Sequence, residues 1–209
     1  MRRRAWILVV VACVVAIGVF GGASVLALRP GDSDPSATSL SAPDLDGRLI
    51  AFDVPPAPGT IVTPASGRLT IPTVGLDVPL GGVNIVAGAV TPPGFDAAYV
   101  VSGVGQQPES GSAGTVFVVM HSVVGGRAPG NLLVDDTGKL LIDAGAIIVV
   151  DGHRYRLESS STVAKPDLAR DAALWSDQPG RLVLITCLQK ADRSPSEANL
   201  VLEAVLLST

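Results

Sequence analysis

From Arg68 onward the chain sets short apolar runs between clusters of Gly, Pro and Asp, the pattern of brief strands joined by tight turns. Leu69–Val74 and Val78–Leu80 flank the turn Gly75-Leu76-Asp77. Ala146–Val150 and Arg154–Glu158 flank Asp151-Gly152, a hairpin signal. Thr115–His121 (TVFVVMH), Leu182–Cys187 (LVLITC) and Leu200–Leu207 are apolar almost throughout, as strands buried on both faces are. One helix is predicted over Asp167–Ser176, where Pro166-Asp167 opens it and Leu168, Ala172 and Trp175 recur at helical spacing. Many short strands with one or two small helices predict a mainly β fold, a closed or nearly closed barrel.

The N-terminal third reads differently. Met1-Arg2-Arg3-Arg4 precedes an uncharged run from Ala5 to Leu28. At about 1.5 Å per residue in a helix, that run crosses a hydrocarbon core of about 30 Å. Basic residues before it and an acidic body after it put the N-terminus in the cytoplasm and the body outside. Ala23-Ser24 and Leu26-Ala27 offer a signal-peptidase cleavage site, and Val10-Val11-Ala12-Cys13 resembles a lipoprotein box. The length of the apolar run favours a retained anchor. Residues 29–66 carry seven prolines and no sustained period, so they are expected to form an extended tether, with Leu49–Val54 as an alternative short strand. Its r.m.s. reach is roughly 30–40 Å by the square-root law for flexible chains. The expected organisation is thus stub and anchor over 1–28, tether over 29–66 and an extracytoplasmic domain over 67–209.

Composition supports the β reading: only 4% of residues are aromatic, whereas Gly (23) and Pro (16) are abundant. The formal charge is −4, and without Arg2, Arg3 and Arg4 the remainder is three units more negative. Such a body lacks the basic footprint of a nucleic-acid partner. Phosphate-loop, dinucleotide, EF-hand and HExxH motifs are absent, and the two histidines make a protein-built zinc site a poor expectation. No cofactor is expected.

What remains is a Cys/His pair. His121 stands where an apolar strand gives way to the Gly-rich loop 122–130, and Cys187 likewise ends a strand before a polar segment. Groups at the ends of buried strands are held by a rigid scaffold yet open to substrate. If the strands are neighbours, a nearby imidazolium favours the thiolate and then protonates a leaving amine. Spacing alone is a weak signal and reads more readily as a buried Cys187 and a strand-end surface His121. His153, in a hairpin turn, is the weaker candidate of the two histidines.

The order of basic stub, apolar anchor, Pro-rich tether, LTIPTVGLDVPL, VFVVMHS, APGNLL, GAIIVVDGHRYRL and RLVLITCLQ resembles the sortases of Gram-positive bacteria, in particular the actinobacterial class E/F group. The resemblance spans Leu69 to about Val205, and its most specific element is Thr186-Cys187 ending a buried strand downstream of a His-bearing one. It implies an eight-stranded barrel preceded by a transmembrane helix, and a metal-independent cysteine transpeptidase of the cell membrane. Cys187 would attack a C-terminal sorting signal, commonly LPxTG-like, in a surface protein or pilin. An amine from a cell-wall precursor or a pilin lysine would resolve the thioacyl intermediate, with His121 as the catalytic histidine. Two positions depart from the family: Met120 replaces the Gly common before the histidine, and no Arg opens the strand after Cys187. Arg193 and Asn199 are the candidates for its oxyanion- and substrate-holding role. A sortase-like barrel kept as a surface binding or assembly module is the alternative. An L,D-transpeptidase fits poorly, since the Ser/His-Gly-Cys phrase of that family is missing around Cys187.

Overall fold

The strands β3 (Val62–Ile71), β4 (Leu76–Asn84), β5 (Ala98–Ser102), β6 (Thr115–Met120), β7 (Ile147–Val150), β8 (His153–Ala164), β9 (Arg181–Leu188) and β10 (Ala198–Leu206) close into one barrel. They are preceded by a two-stranded hairpin of β1 (Ser41–Pro43) and β2 (Leu49–Ala51). The order around the barrel is β10-β8-β7-β3-β4-β5-β6-β9, with β9 returning to β10. This computed structural model describes residues 40–135, 137–190, 192 and 194–208. The expected stub and membrane anchor lie outside them. Among the described residues no helix is long and apolar enough to cross a membrane.

Alternation explains why some strands read as continuous apolar runs. Val116, Val118, Met120, Leu182, Leu184, Leu200 and Leu202 point into the barrel and join its main core. Phe117, Val119, Val183, Ile185 and Val201 point outward into a second cluster with Leu168 and Leu174. β6 and β9 pair in parallel and are covered on both faces, so both sets of positions must be apolar. Met120, the departure from the family's Gly, belongs to the inner core and is 3% exposed.

The outer cover is where the expected helix fails. Only α1 (Lys165–Leu168) is helical, a single turn opened by Pro166. The Asp171 carboxylate accepts from the backbone N–H groups of Ala173 and Leu174, giving the chain a local alternative to helical bonding. Trp175 then donates its indole N–H to the carbonyl of Leu168 at 2.8 Å and lays its ring on Phe117, centroids 5.0 Å apart. The helical spacing of Leu168 and Trp175 is real, but it serves packing across turns.

Residues 41–51, inside the stretch read as tether, form the β1–β2 hairpin, and β3 begins at Val62, before the expected boundary at 67. The hairpin is pinned by one buried carboxylate. Asp44 accepts backbone N–H bonds from Asp46, Arg48 and Arg127, and the Arg127 bond is the main reason its pKa is lowered. Leu45 N–H adds a bond to the Arg127 carbonyl.

Candidate active site

Cys187 lies near the end of β9, in a row with Val183 and Ile185 on the outer face of the barrel, and is 6% exposed. Across the antiparallel β9–β10 ladder its direct partner is Asn199, whose own partner on β8 is Val163. Directly opposed residues share a face, so the Asn199 side chain stands beside Cys187. Asn199 is fully buried, and neither its Nδ2 nor its Oδ1 has a hydrogen-bond partner. A buried, unpartnered amide is uncommon and costs about 1–3 kcal/mol.

On the other side of Cys187 runs β6. Its parallel ladder with β9 ends at Val119↔Ile185. His121 follows the last residue of β6, two positions past Val119, as Cys187 stands two positions past Ile185 on β9. Asn199 on β10 and His121 just past the end of β6 thus come from the two strands that neighbour β9. His153 begins β8, at the opposite end from Val163, and takes no part.

The imidazole of His121 is built into a small aromatic nest. Its ring centroid is 4.6 Å from Phe95 and 5.9 Å from Phe52, the latter edge-on. Nε2 lies 2.8 Å from the carbonyl oxygen of Pro92. A carbonyl only accepts, so Nε2 carries the proton and Nδ1 is the ring's acceptor. Burial lowers the His121 pKa to about 4, opposed by the Pro92 bond and by the Asp53 charge. Desolvation outweighs both stabilising contacts and favours the neutral ring over the imidazolium.

The loop after His121 is locked to β9. Ser122 donates its hydroxyl to the carbonyl of Cys187, and Gln189 donates Nε2–H to the Ser122 carbonyl at 2.7 Å. Gly130 lies so close to Thr186 that a Cβ there would fall 2.1 Å from Thr186 Oγ1. Asn131 ties the loop to itself through bonds with Val123 and Ala128.

Of the four residues singled out from sequence, the fold brings Cys187, His121 and Asn199 to one end of three adjacent strands, and Arg193 lies outside the described residues. Phe52, Pro92, Phe95, Ser122 and Gln189 were not anticipated. They act on the site through ring packing or backbone carbonyls, which no residue pattern announces. Ser122 and Gln189 stand in the quoted VFVVMHS and RLVLITCLQ phrases, the signals available.

No family model and no curated protein matches the sequence. Solved structures do. A variant of sortase C-1 from Streptococcus pneumoniae aligns over 69% of this chain and 67% of its own, at 14% identity and a TM-score of 0.50. Sortase A from Corynebacterium diphtheriae, a lid mutant, aligns over 68% and 69% at 17% identity and 0.49. Sortase C2 of pilus island 1 from group B Streptococcus aligns over 75% and 84% at 15% identity and 0.49. The closed eight-stranded barrel of this chain is the sortase fold.

Proposed function

We propose that this protein is a cysteine transpeptidase of the sortase type, anchored in the cell membrane by its N-terminal segment with the barrel outside. The reading is supported by one observation: Cys187 ends a strand opposite a buried amide without a hydrogen-bond partner, and Ser122, next to His121, donates to the Cys187 carbonyl. In the proposed reaction Nδ1 of His121 takes the thiol proton, and the sulfur attacks the scissile carbonyl carbon of the sorting signal. Asn199 Nδ2–H donates to the oxyanion that forms, a neutral donor in place of the family's guanidinium. Collapse breaks the C–N bond, the leaving amine takes its proton from His121, and a thioacyl enzyme remains. The acceptor amine, from a cell-wall precursor or a pilin lysine, attacks that thioester. Its proton passes through His121 to the departing sulfur.

The substrates are surface proteins or pilins with an LPxTG-like C-terminal signal. Full-length protein in detergent with reductant is expected to cleave such a peptide and join it to an added amine. Cys187→Ala and His121→Ala are each expected to abolish turnover. Cleavage that survives both substitutions rejects the proposal. A binding or assembly module is favoured by one feature, the neutral His121 packed against Phe52 and Phe95. Wild-type protein that binds the peptide by fluorescence anisotropy without turning it over selects that reading.

A further inference from the structure

The β6–β9 ladder ends two residues short of the pair that matters, at Val119↔Ile185. Something else must hold His121 beside Cys187. The bonds present there run in one direction. Gln189 Nε2–H reaches both the carbonyl and the hydroxyl oxygen of Ser122, at 2.7 and 3.1 Å, and the Ser122 hydroxyl donates onward to the Cys187 carbonyl. With its oxygen accepting from Gln189, the Ser122 hydroxyl is oriented as a donor. Ser122 is 5% exposed, so water competes poorly for these bonds.

The far end of the same loop is held with similar tightness. The His121 carbonyl accepts the Gly130 N–H at 2.8 Å, and Gly130 packs against the Thr186 hydroxyl with no room for a Cβ. Residues close to the two catalytic candidates thus lock onto each other: Ser122 on Cys187, Gln189 on Ser122, and Gly130 between His121 and Thr186.

We infer that Ser122 and Gln189 are positioning residues, a side-chain clamp that extends the β6–β9 register beyond its last backbone pair and sets His121 level with Cys187. The inference rests on the Cys187–His121 reading. The clamp does not touch substrate, so its loss should appear in kcat and leave KM nearly unchanged. A misplacement of about 1 Å in such a pair is worth roughly 100-fold in rate.

The test follows Cys187 alkylation by iodoacetamide at neutral pH in full-length reduced protein, beside steady-state kinetics. His121→Ala is expected to slow alkylation, because the base is gone. Ser122→Ala is expected to slow it and to lower kcat about 10- to 100-fold with KM within about twofold. In a His121→Ala background it should do nothing further, since no imidazole remains to be positioned. Ser122→Thr, which keeps the hydroxyl, should restore most of the rate, and Gln189→Met should show a smaller loss of the same kind. Unchanged kcat in Ser122→Ala, or an equal slowing of alkylation with and without His121, overturns the clamp. Alkylation indifferent to His121→Ala alone overturns the underlying Cys–His reading as well, so the two failures differ.

Discussion

The two ends of the β9 strand are built to opposite rules. At its start Arg181, 9% exposed, spends its whole guanidinium: Nε and Nη2 pair with Glu203, and Nη1 donates to the carbonyls of Leu174 and Ser176. Beside it Thr115, the register partner on β6, donates its N–H to the Asp177 carboxylate, and its hydroxyl donates to the Ser176 carbonyl and accepts the Gln178 N–H. At the other end Thr186 Oγ1 and both polar atoms of Asn199 are buried and unpartnered. One end closes the barrel. The other holds polar groups whose best use lies outside the resting fold, which is what a site for a developing oxyanion needs.

The sharpest way to break this contrast is Asn199→Leu. If Asn199 is a donor held for the transition state, transpeptidation falls about 100- to 1000-fold, the usual cost of one oxyanion donor. Stability should hold or rise, because an apolar side chain of similar volume replaces an amide with no bonds to lose. Steady-state kinetics and urea melts on the same preparation check both halves. Arg181→Met probes the opposite end. It strands Glu203 and the carbonyls of Leu174 and Ser176, and should cost about 2–4 kcal/mol by urea unfolding while the surviving folded enzyme keeps its kcat.

His121 gives a pH test. Its folded pKa of about 4 lies below the unfolded value of 6.5, so the unfolded chain binds the extra proton first as pH falls. Stability present above pH 6.5 is therefore lost as pH drops toward 4, by on the order of 2–3 kcal/mol. Urea midpoints of wild type and His121→Phe across this window should diverge, with the shallower slope in the variant. The smallest effect is expected at Thr186. Thr186→Val removes a hydroxyl with no partner and should change stability by less than about 1 kcal/mol, upward if at all.

Much of this arrangement was legible in the chain. The doubly buried runs at Thr115–His121 and Leu182–Cys187 were visible because both faces of β6 and β9 are covered, which leaves no polar alternation to blur them. β5 escaped notice. It is five residues long and sits between turn-forming segments, too short to show a period. β1, three residues with Pro43, is shorter still, and β2, also three residues, was legible only as the alternative strand Leu49–Val54. They exist because Asp44 and Phe52 anchor them to distant partners. The Asp167–Ser176 helix misled for the opposite reason: its apolar spacing is helical, but Asp171 diverts the backbone. Cys187 and His121 came from strand ends and order, and Asn199 from the family resemblance alone. The clamp, which works through backbone carbonyls, did not.

The most direct trial of the account is mass spectrometry of the acid-quenched enzyme after brief exposure to a sorting-signal peptide without amine acceptor. With reduced enzyme, the acyl fragment is expected on the tryptic peptide from Leu182 to Lys190, where Cys187 is the sole cysteine, and is expected to disappear on addition of amine. Turnover with no adduct on that peptide, or an identical adduct in Cys187→Ala protein, would contradict it.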